Sequence, residues 1–216
     1  MDRRSEGLQP GCRPFTDEDP SDKRYVAGAG TFIGYPRYMD AQLEQQAIVA
    51  AQADPARFAP LYEHYFTIIF RFIHRRTGHR ELTADLTQQV FLKAMLALPR
   101  YTSRGLPFRA WLYRIALNEV RMYWRKKKEV NMEISAIEWR GLVQEVGVEG
   151  HGDEEQRLLR ILSRLGEDRQ RLIELRYFDG LSFAEVGQVL GIGEDAAKMR
   201  THRVLKAMRD QLGAKA

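Results

Sequence analysis

SFAEVGQVLGIGEDAAKMRTHRVLKAMRDQL, residues 182–212, is the stretch that decides the fold. Ser182, with Glu185 three positions on, forms a capping box, in which each side chain answers a backbone N–H at a helix start. Gly191 ends the short helix that follows, since glycine readily takes the left-handed backbone of a helix exit. A longer helix then runs from about Glu194 to Leu212. Within it Ala197, Thr201, Val204 and Met208 recur at i, i+4, i+7 and i+11, an inward face. Short capped helix, glycine turn and longer second helix are the layout of a helix-turn-helix. Two antiparallel helices with solvated lysines would share this periodicity, but the small Ala184 and Gly187 permit the close crossing that the motif needs. Lys198, His202, Lys206 and Arg209 fall on the other faces, flanked by Arg200 and Arg203. Such cations can meet phosphates and guanines in a DNA major groove.

Upstream, EEQRLLRILSRL and DRQRLIELRYF read as helices, the second closed by Asp179-Gly180. Residues 129 to about 155 differ: eight acids, Glu129, Glu133, Glu138, Glu145, Glu149, Asp153, Glu154 and Glu155, face only Arg140, among several glycines. That composition predicts a flexible acidic linker.

FRAWLYRIALNEVRMYWRKKK (108–128) lies just before it. At about 100° per residue, Ile115, Ala116, Val120 and Tyr123 cluster on one side of the helix, while Arg114, Asn118, Arg121, Arg125 and Lys128 form a stripe opposite, with Trp111 at its edge. From Arg100 to Lys128 there are nine basic residues against one acid, Glu119, which falls on the apolar side with no evident role. Cations neutralise phosphates, and aromatics stack on unpaired bases. Packing of Trp111, Tyr113 and Trp124 into a core would be the plainer reading, but the charge imbalance beside a second DNA-binding candidate favours an anionic partner.

Farther upstream, ADLTQQVFLKAMLAL (84–98) is a helix stopped by Pro99. Before it a long helix begins near Ala59, with Leu61, Tyr65, Ile68, Ile69 and Phe72 as its buried face and Thr77-Gly78 as its end. AQLEQQAIVAAQ is a shorter helix, and Asp54-Pro55 is a helix-start pair. Residues 1–38 show no period and read as a flexible extension. No strand of useful length appears. The fold class is therefore all-α: two small helical domains (39–128 and 154–216) joined by the linker (129–153), the C-terminal one holding the helix-turn-helix.

A net charge of +5 agrees with a polyanionic partner. The single Cys12 rules out an intrachain disulfide or a cysteine zinc site, and the histidines form no HExxH pair. GAGTFIG has no strand before it, so it is not read as a phosphate loop. No cofactor, metal site or catalytic residue is expected. The absence of an apolar leader or span points to the cytoplasm without membrane insertion.

DLTQQVFLKAMLALPRYTSRGLPFRAWLYRIALNEVRMYWRKKK resembles region two of bacterial RNA polymerase sigma factors of the extracytoplasmic-function (ECF) group, and RLIELRYFDGLSFAEVGQVLGIGEDAAKMRTHRVLKAMRDQL resembles region four. The likeness covers about residues 40–128 and 154–212. It implies a transcription initiation factor whose partners are core RNA polymerase and promoter DNA, with room for an anti-sigma factor. It places Asp85, Leu86, Gln88, Gln89 and Phe91 on the polymerase. The minus-ten element would meet Arg104, Arg109, Trp111, Arg114, Asn118, Arg121, Trp124, Arg125 and Lys126, with Asn118 near a flipped base. The minus-thirty-five element would meet Glu194, Asp195, Lys198, Met199, Arg200, His202, Arg203 and Lys206. Three features depart from the family pattern: Gln89 where a Glu is usual, GEDAAK in place of S-x-G-T-V-K, and the N-terminal extension. A helix-turn-helix regulator acting without polymerase is the alternative, but it leaves the 108–128 stripe without a purpose.

Overall fold

Asp40 opens the helical region, its Oδ1 accepting from the amides of Gln42 and Leu43 at 2.9 and 3.1 Å and so capping α1 (Ala41–Ala53). The computed structural model describes residues 39–103, 105–127, 142–143, 145–146 and 153–213, all within one compact unit, Pro36–Ala216. Among the described residues there is no β-strand, and no helix is long and apolar enough to cross a membrane. The expected extension (1–38) lies outside them, as do Arg104 and the side chain of Lys126.

Asp54 caps a single 3₁₀ turn, Pro55–Phe58, and α2 (Ala59–Thr77) starts where Pro60 can sit in its first turn. Gly78, at φ +64°, ends α2, its amide reaching the His74 carbonyl at 2.9 Å. Next, α3 (Arg80–Ala97) starts four residues ahead of the expected Ala84. Its early turns hold because Thr83 and Thr87 return their hydroxyls to the His79 and Thr83 carbonyls, each at 2.7 Å, so neither buried hydroxyl is left unpaired. A loop leads to α4 (Phe108–Lys127).

Leu61, Tyr65, Ile69 and Phe72 of α2 are fully buried with Val90 and Ala94 of α3 and Leu112 and Ala116 of α4. Two polar ties fix this bundle. Glu44 of α1, itself buried, accepts from the Tyr65 hydroxyl and, at 3.1 Å, from the Phe108 amide, so one carboxylate positions the start of α4. Burial first, then the bond to Glu44, raises the Tyr65 phenol pKa and keeps it a donor. Gln52 of α1 donates to the Leu98 and Tyr101 carbonyls at 3.0 and 2.8 Å, holding the loop that precedes α4.

The second half comprises α5 (Asp153–Arg164), α6 (Glu167–Ile173) running on into a π-helical turn (Glu174–Phe178), α7 (Phe183–Leu190) and α8 (Glu194–Gly213). Leu158, Leu162, Leu172, Leu175, Leu205 and Met208 make its core. Of the expected linker the structure describes Leu142, Val143, Glu145, Val146 and Asp153. Leu142 and Val146 are buried, and Glu145 is held by Arg209, whose Nη2 lies 2.7 Å from its carbonyl. Leu142 and Val146, at i and i+4, are the buried apolar pair among these described residues.

The halves are joined by direct packing of α4 on α7 and by three guanidinium–carboxylate pairs: Arg75–Asp179, Arg76–Glu174 and Arg109–Glu185. All six side chains are at most 7% exposed. Arg109 Nε and Nη2 donate to the two Glu185 oxygens at 2.6 and 2.9 Å, and Nη2 also meets the Gly180 carbonyl at 3.3 Å. Tyr113 donates to Asp179 at 3.2 Å.

Burial alone would raise the Glu185 carboxyl, but the Arg109 guanidinium, by hydrogen bond and by charge, together with Ser182, outweighs it and holds the group below its ordinary 4.5. A carboxylate depressed in the folded state contributes stability that is present above its unfolded pKa and lost as pH falls through the folded one. Urea titrations should therefore show Glu185→Gln less stable than wild type at neutral pH, the gap shrinking as pH drops below 4.5. A gap that stays constant with pH would trace the loss to packing instead of charge.

Candidate nucleic-acid and polymerase interfaces

The basic stripe of α4 is built by the burial of its other side. With Leu112, Ala116, Leu117 and Val120 in the core, Arg114, Asn118, Arg121 and Arg125 are turned outward and exposed. Trp111 is half-buried, its ring 4.7 Å from Tyr101 and 5.2 Å from Phe108, so its outer edge borders the stripe while its body supports the loop. Trp124 is also half-buried and donates Nε1 to the Arg76 carbonyl at 3.0 Å. Arg109 departs from expectation. It is fully buried and points away from the stripe into the second half, because Glu185 and the Gly180 carbonyl satisfy it there. Glu119, which had no role by sequence, accepts from Lys93 Nζ of α3 at 2.6 Å and ties the two helices together.

On α8 the inward face is Ala197, Thr201, Val204 and Met208, as the spacing predicts, with Leu205 added. Glu194, Asp195, Lys198, Met199, Arg200, His202, Arg203 and Lys206 are all exposed, spread over the part of the helix that the inward face leaves open. Thr201 is buried and returns its hydroxyl to the Ala197 carbonyl at 2.8 Å. The capping box at Ser182 is complete, with Glu185 Oε2 receiving the Ser182 amide at 2.7 Å. Gly191, at φ +71°, turns the chain, and the turn folds back onto Gly187. His202 lies with its ring 5.9 Å from Phe183, over which Arg176 is stacked. A positively charged outer face on a helix held by a short, rigid turn can enter a groove and contact base edges and phosphates.

On α3 the expected polymerase residues divide. Asp85, Gln88 and Gln89 are exposed, whereas Leu86 and Phe91 are buried, Phe91 packing on Phe58, Tyr62 and Phe66. The two buried side chains shape the helix surface from beneath and offer none of their own. Leu92 (52% exposed) and Leu96 (70%) continue the exposed face, at seven and eleven residues from Asp85. Sequence reasoning missed this pair, although the spacing was visible. A polar row running into exposed leucines has the make-up of a protein-docking surface. Among the described residues no cluster of His, Cys, Asp or Glu is placed to hold a metal ion.

The chain matches the family descriptions Sigma-70 region 2 over residues 61–130 and Sigma-70, region 4 over residues 155–208. It is 29% identical to the ECF RNA polymerase sigma factor BldN of Streptomyces coelicolor, over 78% of this chain and 66% of that protein. It is 26% identical to the ECF RNA polymerase sigma factor SigW of Bacillus subtilis, over 81% of this chain and 98% of that one. Among solved structures it resembles CnrH, determined in complex with the cytosolic domain of CnrY, with a TM-score of 0.52 and 22% identity over 77% of this chain and 97% of that chain. At that identity the likeness to CnrH is one of fold.

The Gly187 contact governs how α8 is presented. A Cβ there would meet the Ile192 carbonyl at 2.7 Å and the Glu194 amide at 3.3 Å, both backbone atoms of the turn. Gly187→Ala should cost about 1–3 kcal/mol, the usual penalty of overpacking, measured as a lowered urea midpoint. A midpoint at or above wild type would show that the turn yields to the methyl group.

Proposed function

Because this chain belongs to the ECF group of bacterial RNA polymerase sigma factors, we propose that α3 docks it on core polymerase, α4 opens the minus-ten element and α8 reads the minus-thirty-five element. It is a transcription initiation factor, with core RNA polymerase and promoter DNA as partners. The observation that carries the division of labour is the outward presentation of the complete α8 set beside a separate exposed cationic stripe on α4.

On α3, Asp85, Gln88 and Gln89 supply directional hydrogen bonds and Leu92 and Leu96 supply the apolar contact. On α4, Arg114, Arg121 and Arg125 neutralise the backbone of the melted strand. Asn118, an exposed amide in their midst, can pair with an unstacked base edge, and the outer edge of Trp111 can support it. On α8, Lys198, Arg200, Arg203 and Lys206 meet duplex phosphates and bases, while Glu194 and Asp195 favour the positive end of the helix dipole.

Replacing both Leu92 and Leu96 by Glu should leave the fold intact, since neither is buried, and weaken core polymerase binding by about tenfold or more, the scale of losing two interface anchors. Sizing chromatography or titration with core polymerase measures it, and unaltered affinity would remove α3 as the docking face.

Asn118→Ala should slow open-complex formation while recognition of the upstream element survives. Lys198→Glu with Arg203→Glu should do the reverse, abolishing dependence on the upstream element and sparing melting on a promoter that lacks it. In vitro transcription with core polymerase and permanganate footprinting separate the two. Identical defects in both variants would sink the assignment. Tight sequence-specific duplex binding by the free chain, with no polymerase association, would favour a regulator that acts alone.

A further inference from the structure

Beside the Arg76–Glu174 pair lies a cleft of about 490 Å³ walled by two helical stripes. From α4 come Leu117, Val120, Arg121, Trp124 and Arg125, at i, i+3, i+4, i+7 and i+8. Opposite them stand Glu167, Gln170 and Arg171 of α6 and Glu174 of the π turn. Arg76, in the last turn of α2, completes the lining. Clefts that hold small organic molecules have volumes of about 300–1,000 Å³.

Four guanidiniums share this lining with two carboxylates. Glu174 holds Arg76 and Glu167 holds Arg171, so Arg121 and Arg125 carry the surplus charge of the lining. Asp168, whose side chain is 94% exposed, adds a contact to Arg171 at 3.0 Å from outside the cleft. Arg171 is itself buried. Burial first, then the proximity of Arg121 and Arg76, pulls its guanidinium down to about 10. These cations repel one another, and an anion seated among them relieves the repulsion.

The uncharged part of the lining narrows the choice of anion. Leu117 and Val120 are buried and give the α4 wall an apolar portion. Trp124 is half-buried, and the bond from its Nε1 to the Arg76 carbonyl at 3.0 Å fixes the indole in place. A fixed aromatic ring is a stacking surface for a base. Gln170 spends its amide nitrogen on the Leu162 and Ser163 carbonyls, at 2.9 and 3.4 Å, so what it can offer a ligand is the acceptor Oε1. An acceptor there suits a ribose hydroxyl or an exocyclic amine. Guanidiniums on both walls suit adjacent phosphates, whose oxygens accept two N–H bonds from one fork. An inorganic anion would use the cations alone and leave the indole and Gln170 without a purpose.

We propose that this cleft binds a nucleoside 5′-diphosphate, with its phosphates among Arg121, Arg125 and Arg171, its base against Trp124, and Gln170 Oε1 accepting from the sugar or the base. The site goes beyond the initiation function and does not need it, since it is defined by its own walls. The competing occupant is a single DNA strand, because Arg121 and Arg125 are also assigned to the minus-ten backbone.

The test is calorimetric titration of the full chain with GDP in magnesium-free buffer of low ionic strength. One site per chain is expected. Pyrophosphate should bind about fivefold or more weakly than GDP, the scale of a lost base stack, and guanosine should not saturate. Arg171→Gln and Arg125→Gln should each weaken GDP about tenfold or more, the scale of a lost hydrogen bond to a charged group. Arg57→Gln, an exposed cation away from the cleft, should leave the affinity unchanged. Arg125 is exposed, so its variant decides should Arg171→Gln fail to fold. Absence of GDP binding by the wild type overturns the site, as does an equal loss in Arg57→Gln. Pyrophosphate binding as tightly as GDP overturns the nucleotide assignment. A single-stranded oligonucleotide that binds where GDP does not would give the cleft to DNA and overturn it equally.

Discussion

One helix circumference has to satisfy three sets of neighbours, and most of the molecule follows from how α4 does so. Its apolar side closes the bundle with α2 and α3, its cations point outward, and Arg109 and Tyr113 reach into the second half. Successive residues are about 100° apart, so a one-residue rotation would bury the stripe and withdraw both seam contacts together. What prevents that rotation is Glu44, which holds the first amide of α4 from a different helix, and the Lys93–Glu119 bond midway along. Two buried carboxylates, one at the start of α4 and one midway along it, set the phase of that helix.

Between the halves, charge is added to the apolar packing that runs through both. Within the bundle, fully buried Leu61, Ile69, Phe72 and Leu112 each contribute about 1.5–3 kcal/mol through removal from water. That term is non-directional and resists dissection, so the bundle behaves as a unit. Between the halves the conspicuous contacts are charged, and their attraction is largely cancelled by lost hydration.

Much of this could be read in the sequence because the deciding signals are local. The capping box at Ser182, the α2 start at Ala59, the inward and outward faces of α8 and the outward phase of Arg114, Asn118, Arg121 and Arg125 all depend on residues within a few turns of one another. What escaped depends on partners far along the chain. Arg109 looks like any other cation on a wheel, and its counter-ion Glu185 is 76 positions away. Glu119 looked misplaced because Lys93 is 26 positions upstream. On α3 the resemblance named Leu86 and Phe91, whose side chains the fold buries, and did not name Leu92 and Leu96, which face outward.

The π turn at Glu174–Phe178 has a consequence for how this seam can change over generations. In a regular α-helix a residue five positions on is rotated by about 140°, which would put Glu174 and Asp179 on different sides. Hydrogen bonding across five residues, seen in the Asp179 amide at 2.9 Å from the Glu174 carbonyl, brings them close to alignment, facing Arg76 and Arg75. Loss of a single codon between them would restore a regular helix and leave the two acids four positions apart, about 40° from alignment and still on one face. A lineage could therefore lose or regain that one residue and keep both acids turned toward the arginines of α2.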